Sequence, residues 1–257
     1  MQRARGRAEV VLRDGRLRDL GQSGCAKALL PRTAGPAEAV FLNTSGGLTG
    51  GDRVAYALSV EAGRAVGTTQ AAERLYASAA GAAEVQARLS VGPGARLDWL
   101  PQETIAFDRG ALRRRTVVDL APGATVLLSE MLVLGRRAMG ESVRTLDLTD
   151  RREIRRDGRP VWSEPLRVTG AVIARGTRAL LGGARALATL VLAGPGAQDA
   201  AARLGPYEGV EAGASGWDGR CVLRMRAADP APLRRALASA ILALGGAIPL
   251  VWPQEPA

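Results

Sequence analysis

The sequence predicts a mainly β fold: a helically coiled, solenoid-like stack of β-sheets with two α-helices in a C-terminal α/β portion. Three observations predict it. Apolar residues alternate through the first three fifths of the 257 residues, glycine turns recur about every 30 residues, and helical apolar spacing occurs in the last third. Because no flexible linker interrupts the chain, we expect a single domain over 1–257, in which a β-coil portion with polar loops (1–180) carries a packed α/β appendage (181–257).

The strands are predicted from period-two alternation, which places one side of each strand in the core. Three such segments are Val54, Tyr56, Leu58 and Val60; Val85, Ala87, Leu89 and Val91; and Val126, Leu128, Leu132 and Leu134. The turns at Gly63, Gly94 and Gly123 are spaced by 31 and 29 residues (94 minus 63 and 123 minus 94). So constant a period predicts stacked β-units whose equivalent loops line up along one side.

The last third predicts strands at 186–193 and 221–225, a short helix at 198–204 and a longer helix after Asp229. Asp229 can cap that helix, with Pro230 in its first turn. Its apolar stripe falls at intervals of four, four and three residues: Leu233, Leu237, Ile241 and Leu244.

Composition excludes several classes of function. Histidine is absent, which removes Ser-His-Asp and Cys-His catalysis and every His-ligated metal site. Cys25 and Cys221 lie far apart without a Cys-x-x-Cys pair, so no zinc site or disulfide framework is expected. The N-terminus has no apolar signal region and no segment is long enough to span a membrane, which predicts a soluble, cytoplasmic protein.

The net charge of +10 raises the question of an anionic partner. All but one of the 35 basic residues are arginines, and they are spread along the chain without a basic arm. Aromatic residues make up only 4%, too few for a surface that stacks single-stranded bases. Arginine-rich solvated faces are therefore favoured over a nucleic-acid binder, which stays an alternative.

A glycine-rich block at 43–52 is the sharpest local feature of the sequence. The spacing from Gly46 to Gly51 imitates a phosphate loop, but Asp52 occupies the position that needs lysine, which excludes a nucleotide site. The glycines allow positive φ and close backbone approach. The block is either a tight bulge between two strands or a backbone-lined concavity that presents Asp52.

Two further polar blocks lie at 99–105 and 135–141. In the first, Pro101 breaks a strand and Glu103 follows apolar residues, which indicates a capped turn or a buried, partnered carboxylate. In the second, Arg136 and Glu141 are bracketed by glycines, as in a surface salt bridge or a polar channel. Asp52, Glu103 and Glu141 are the candidate carboxylates, with Glu73 and Glu130 in addition; no motif for a stable metal site or covalent nucleophile is present.

These blocks occur in a fixed order and spacing over 21–252 that, taken together, is specific. Two terminal matches, at 22–27 and 249–252, flank them. The matching residues are 41–44; Gly46, Gly47, Gly50, Gly51 and Asp52; Thr69, Ala72 and Tyr76 within 68–76; Trp99, Pro101, Gln102 and Glu103 within 99–105; Phe107 and Asp108; and Gly135, Arg136, Ala138, Gly140 and Glu141.

This set resembles the urease accessory protein UreD (UreH) family. Many members have a histidine and two prolines before the glycines, where this chain has Asn43, Thr44 and Ser45, and many have an aromatic residue where it has Ser142. Any role that the family gives to a histidine at these positions cannot apply here.

The resemblance implies a β-rich coil with two helices and a protein that is not an enzyme. It implies a scaffold that acts with UreF and the GTPase UreG on apo-urease subunits, delivering nickel as UreG hydrolyses GTP, with no tightly bound cofactor. Our hypothesis is that Asp52, Glu103 and Glu141 line an internal path through which Ni²⁺ passes transiently, because oxygen ligands hold nickel more weakly than imidazole or thiolate. The alternatives are a pure protein scaffold without nickel contact and a carboxylate-based enzyme on a β-solenoid.

Overall fold

The computed structural model describes residues 3–136 and 139–252, so Ala138 of the predicted blocks lies outside the described residues. The described chain is dominated by strands, which confirms the mainly β class. The strands are β1 (Arg5–Arg13), β2 (Arg16–Gly24), β3 (Ala26–Leu29), β4 (Ala37–Asn43), β5 (Arg53–Ala62), β6 (Arg64–Thr69), β7 (Glu73–Leu75), β8 (Ala83–Val91), β9 (Arg96–Trp99), β10 (Thr104–Ala106), β11 (Gly110–Leu120), β12 (Thr125–Leu134), β13 (Leu146–Arg156), β14 (Arg159–Thr169), β15 (Ala186–Ala193), β16 (Glu211–Trp217) and β17 (Arg220–Ala227).

The strands form two sheets with parallel centres. Sheet A has the order β14-β13-β11-β8-β5-β1-β2, and sheet B the order β16-β17-β15-β12-β9-β6-β4-β3, with β7 and β10 pairing beside β12. Val54 lies opposite Val85 and Ala83 opposite Leu112, offsets of 31 and 29 residues that equal the glycine spacing. The repeat in the sequence is therefore the register of sheet A. Helical coiling of the whole stack stays a prediction.

The main core lies between the sheets. In β8 the buried positions alternate strictly with exposed ones, which confirms the predicted period of two. Phe41 contacts Tyr56 and Trp99 at ring centroid distances of 5.0 and 5.7 Å, so the few aromatic residues concentrate in this core. All but the first residue of β12 are buried, which carries Glu130 into the protein.

The C-terminal third extends sheet B rather than starting another sheet. β15 pairs antiparallel with β12, and β17 with β15. Helix α2 (Pro230–Ala243) begins where Asp229 Oδ1 accepts from Ala231 N at 2.9 Å, and its predicted apolar stripe is buried against sheet B. The single domain over 1–257, with its division into portions 1–180 and 181–257, stays a prediction.

The shorter helices differ from the expectation. The helix predicted at 198–204 is a 3-10 helix at Ala197–Arg203, and α1 (Gly170–Arg175), capped by Thr169, was not predicted. Helices of six or seven residues have too few turns to show an apolar period. None of the helices in the described ranges combines the length and apolar composition that crossing a membrane requires.

Candidate functional site

Two of the predicted polar blocks, 43–52 and 135–141, lie at one corner of the molecule together with the segments that follow β7 and β10. Strands β7, β10 and β12 pair in parallel, which brings their carboxyl ends together, and Leu48 of the first block forms a parallel bridge with Leu75 of β7. Backbone hydrogen bonds then join loop to loop: Leu48 N donates to Arg74 O at 2.8 Å, and Arg109 N donates to Thr145 O at 2.7 Å. Blocks far apart in sequence thus form one continuous surface.

The glycines of the first loop are required by close packing. A Cβ on Gly50 would lie 1.9 Å from Ser78 Oγ and 2.3 Å from Ala80 O. A Cβ on Gly47 would lie 2.5 Å from the Tyr76 ring. Gly46 and Gly51 are needed for positive φ, at 80° and 89°. The loop is therefore a bulge that packs tightly against its neighbours.

Asp52 holds that loop to the N-terminal strand. Its side chain is buried, and its two oxygens accept hydrogen bonds from Ala4 N and Thr49 N, each at 2.8 Å. Both carboxylate oxygens thus have backbone donors, which is what a buried carboxylate in a turn needs.

The second predicted block ties β9 and β10 to helix α2. Glu103 forms an ion pair with Arg234, and Gln102 Nε2 donates to Val251 O at 2.9 Å. Thr69 Oγ1 accepts from Gln102 N at 3.0 Å. Trp99 and Pro101 are buried, and Ala72 is half-buried. These contacts fix the C-terminal segment beside the corner.

Glu141 closes the third block. Its Oε2 accepts from Arg136 Nε at 2.9 Å and its Oε1 from Asp108 N at 3.2 Å. Burial raises the pKa of Glu141, but these hydrogen bonds outweigh it and hold the pKa below its ordinary value. Gly135 and Gly140 adopt positive φ on either side. Within residues 3–136 and 139–252, no three Asp, Glu or Cys side chains gather in a group that could hold a metal ion, so Asp52, Glu103 and Glu141 do not converge.

Glu73, one of the additional candidate carboxylates, is half-buried beneath the glycine loop. Glu73 Oε1 accepts from Asn43 Nδ2 at 3.3 Å, and Asn43 also donates to Gly47 O. Glu73 lines an interior cavity of about 40 Å³ together with Arg114 and Glu130. Burial raises the pKa of Glu73 to about 7.

An ion-pair network continues from this cavity across the core, where its members are largely buried, and ends at the exposed Arg224. Arg114 Nη2 lies 2.8 Å from both Glu130 Oε2 and Asp150 Oδ2. Glu164 then forms ion pairs with Arg152 and Arg224 at N–O distances of 3.2 and 2.6 Å, so acidic and basic side chains alternate from sheet B through sheet A and back. The network consists of Glu130, Arg114, Asp150, Arg152, Glu164 and Arg224.

All six residues of the network line a larger cavity of about 520 Å³, which is open to solvent, between the edges of the two sheets. Arg114 and Glu130 line both cavities. Burial raises the pKa of Glu130 to about 7, whereas the neighbouring Arg114 and Arg152 outweigh burial at Asp150 and lower its pKa. Asp150 is fully buried and its Oδ1 has no hydrogen-bond partner among the described residues.

Sequence reasoning missed Asp150, Arg152 and Glu164. One signal was present: Glu130 interrupts an apolar strand face, which requires a buried partner. Nothing in the sequence identified Arg114 as that partner, because it stands in a run of three arginines, of which Arg113 and Arg115 are more exposed.

We expect Glu73→Gln to change how stability depends on pH. Between about pH 4.5 and pH 7 the folded protein binds a proton at Glu73 that the unfolded chain does not, so this group's contribution to stability falls as pH rises through that window. The neutral amide avoids that loss. The variant should be more stable than the wild type above pH 7, by on the order of 2 kcal/mol, with the gap closing towards pH 4.5. Urea unfolding over this range measures it, and a gap that does not change with pH would refute the assignment.

Comparison with known proteins places the chain in a family. The family model for the UreD urease accessory protein matches residues 3–255. The chain is 54% identical to the urease accessory protein UreD of Cereibacter sphaeroides, covering 98% of this chain and 96% of that protein. Identity to the proteins of the same name from Dinoroseobacter shibae and Paracoccus denitrificans is 51% and 47%, each over 98% of this chain and 93% of the relative. The chain belongs to the UreD family of urease accessory proteins.

Proposed function

We propose that this chain, a member of a family with a role in urease maturation, works in the cytoplasm in a complex with UreF and the GTPase UreG. The complex acts on apo-urease and inserts nickel in step with GTP hydrolysis by UreG. The chain itself makes and breaks no bonds. Its own contribution is an internal, carboxylate-bearing route along which Ni²⁺ passes.

The observation that carries the nickel route is the pair of cavities that share Arg114 and Glu130. Placing a carboxylate in the interior costs free energy unless a partner compensates its charge. The cavities hold Glu73 and Glu130 next to Arg114. Oxygen ligands bind Ni²⁺ through charge but less tightly than imidazole or thiolate. A route needs sites that attract the ion without retaining it.

The neighbouring cations make these carboxylates weak sites. Arg114 partly neutralises Glu130, and a pKa of about 7 leaves Glu130 partly protonated at neutral pH. An arriving divalent ion competes with both the proton and the guanidinium, so it binds and leaves easily. The proposal keeps Asp52, Glu103 and Glu141 as residues that line the route outside the two cavities.

A pure scaffold is the second candidate. The observation that favours it is that Arg partners engage most of these carboxylates, as in the pairs Glu103–Arg234 and Glu141–Arg136. In this reading the ion pairs fix the shape of docking surfaces and nickel never contacts the chain.

Both candidates require that the chain take part in urease maturation. The experiment that tests this is activation of apo-urease with UreF, UreG, GTP and Ni²⁺, with and without this chain. We expect activity and bound nickel to depend on its presence, by about tenfold or more, since assembly needs all partners. Equal activation without the chain would exclude the proposed role. Omitting GTP serves as the control for UreG-dependent transfer.

A further inference from the structure

The corner at which the loops meet also carries an exposed, positively charged surface. We propose that this surface, the corner patch, docks an acidic face of a partner protein. The corner patch consists of Arg74, Tyr76, Arg109, Arg136, Met139 and Arg144. The proposal rests on the proposed function, which supplies the partners, and adds where and through what chemistry one of them binds.

The patch is one continuous surface. The Tyr76 ring meets the Phe107 ring edge-on at 5.2 Å, and the Arg136 guanidinium lies 4.2 Å from the centre of the same ring. Arg109 is joined to the segment of Arg144 by its hydrogen bond to Thr145 O. These contacts place Tyr76 and Arg136 against one aromatic ring, and Met139 N donates to Arg136 O at 2.9 Å in the same loop.

The patch has an unbalanced charge. Asp108 Oδ1 accepts from Arg144 N and Thr145 N, both at 2.7 Å, and these backbone donors lower the pKa of Asp108. Glu141 is likewise bound inward to Arg136 and Asp108. Four guanidiniums thus stand against two carboxylates that are engaged within the loops.

Three of those arginines form no salt bridge among the described residues. Arg74, Arg109 and Arg144 are exposed and form no ion pair with any described residue. Arg109 also holds a left-handed backbone, with φ of 63°, which a non-glycine residue adopts at some cost in free energy. The loop therefore keeps an unpaired cation at the patch in a strained position.

The patch has the composition of a protein interface. Met139 is 73% exposed and Tyr76 39% exposed, although the protein buries most of its large apolar side chains. Tyr, Met and Arg are enriched in the cores of protein interfaces, whereas the charged rim sets partner choice and association rate. Positive charge around an apolar centre fits a partner surface with carboxylates around an apolar side chain.

The test measures binding of this chain to UreF, UreG and apo-urease, separately and together, against salt concentration. The patch variants are Arg109→Glu/Arg144→Glu and Met139→Asp. The matched control for charge is Arg156→Glu/Arg159→Glu. These residues lie in the β13–β14 hairpin at the opposite end of sheet A, because β13 begins at the corner and runs away from it to Arg156. The control for the apolar residue is Leu242→Asp, 59% exposed on α2. Circular dichroism and melting curves confirm that each variant is folded.

We expect each patch variant to raise the Kd for at least one partner by about tenfold or more. The arginine variant should also make the Kd less dependent on salt concentration. The Kd of each control variant should stay within about threefold of the wild-type Kd. Wild-type binding by the patch variants, or equal losses in patch and control variants, would overturn the docking surface and leave the proposed function standing. If the wild-type chain binds none of the three proteins, the proposed function and the docking surface both fail.

Discussion

Gly50→Ala is expected to destabilise the folded protein by about 3 kcal/mol. The new Cβ would overlap Ser78 Oγ, Ala80 O and Gly81 O, at 1.9, 2.3 and 2.7 Å. Two of these atoms are backbone carbonyl oxygens of the adjacent loop, which cannot move aside as a flexible side chain could. Urea unfolding of the purified protein measures the loss.

Gly46→Ala, in the same loop, is the matched control. Nothing lies within 4 Å of a Cβ at Gly46, so the cost is confined to its positive φ of 80°. That strain amounts to about 1 kcal/mol. If the two variants lose equal stability, loop-on-loop packing is not what requires Gly50.

Asp150→Ala should produce the other large loss, about 3–5 kcal/mol. Asp150 is fully buried between Arg114 and Arg152, 2.8 and 3.3 Å from its Oδ2. Removing the carboxylate leaves two guanidiniums close together in the core with only Glu130 and Glu164 to balance them. Chemical denaturation at neutral pH gives the number.

Asp147→Ala, three residues earlier on β13, is the control for that loss. The pair Arg113–Asp147 has a comparable N–O distance of 2.5 Å, but its two side chains are 46% and 48% exposed. An exposed pair contributes about 0–1 kcal/mol. A loss at Asp147 as large as that at Asp150 would show that burial does not determine the strength of these pairs.

The fold class could be predicted because it rests on local patterns. The alternation in β8 and the 31- and 29-residue spacing of Gly63, Gly94 and Gly123 both reappear as strand register. Helix α2 was predictable from Asp229 and its apolar stripe. The antiparallel extension of sheet B by β15 was not, since strand order depends on contacts distant in sequence.

The site was predictable only as a set of loops. Parallel stacking implied that equivalent loops line up, and the corner confirms that expectation. Which carboxylates lie inside depends on the face that each strand turns to the core and on its Arg partner across the sheets. Glu130 gave a signal by interrupting an apolar face. Asp150 and Glu164 lie in strands that carry charged residues on both faces, which masks the alternation.

The most direct measurement of the central claim is nickel bound to urease after activation with Glu73→Gln/Glu130→Gln. Each amide keeps the shape of the side chain but removes a carboxylate from the cavity of about 40 Å³. The account predicts unchanged assembly with UreF, UreG and apo-urease and a fall in nickel transfer of about tenfold, with Asp147→Asn transferring like the wild type. Wild-type nickel transfer by the double variant in an intact complex would contradict the route and favour the scaffold.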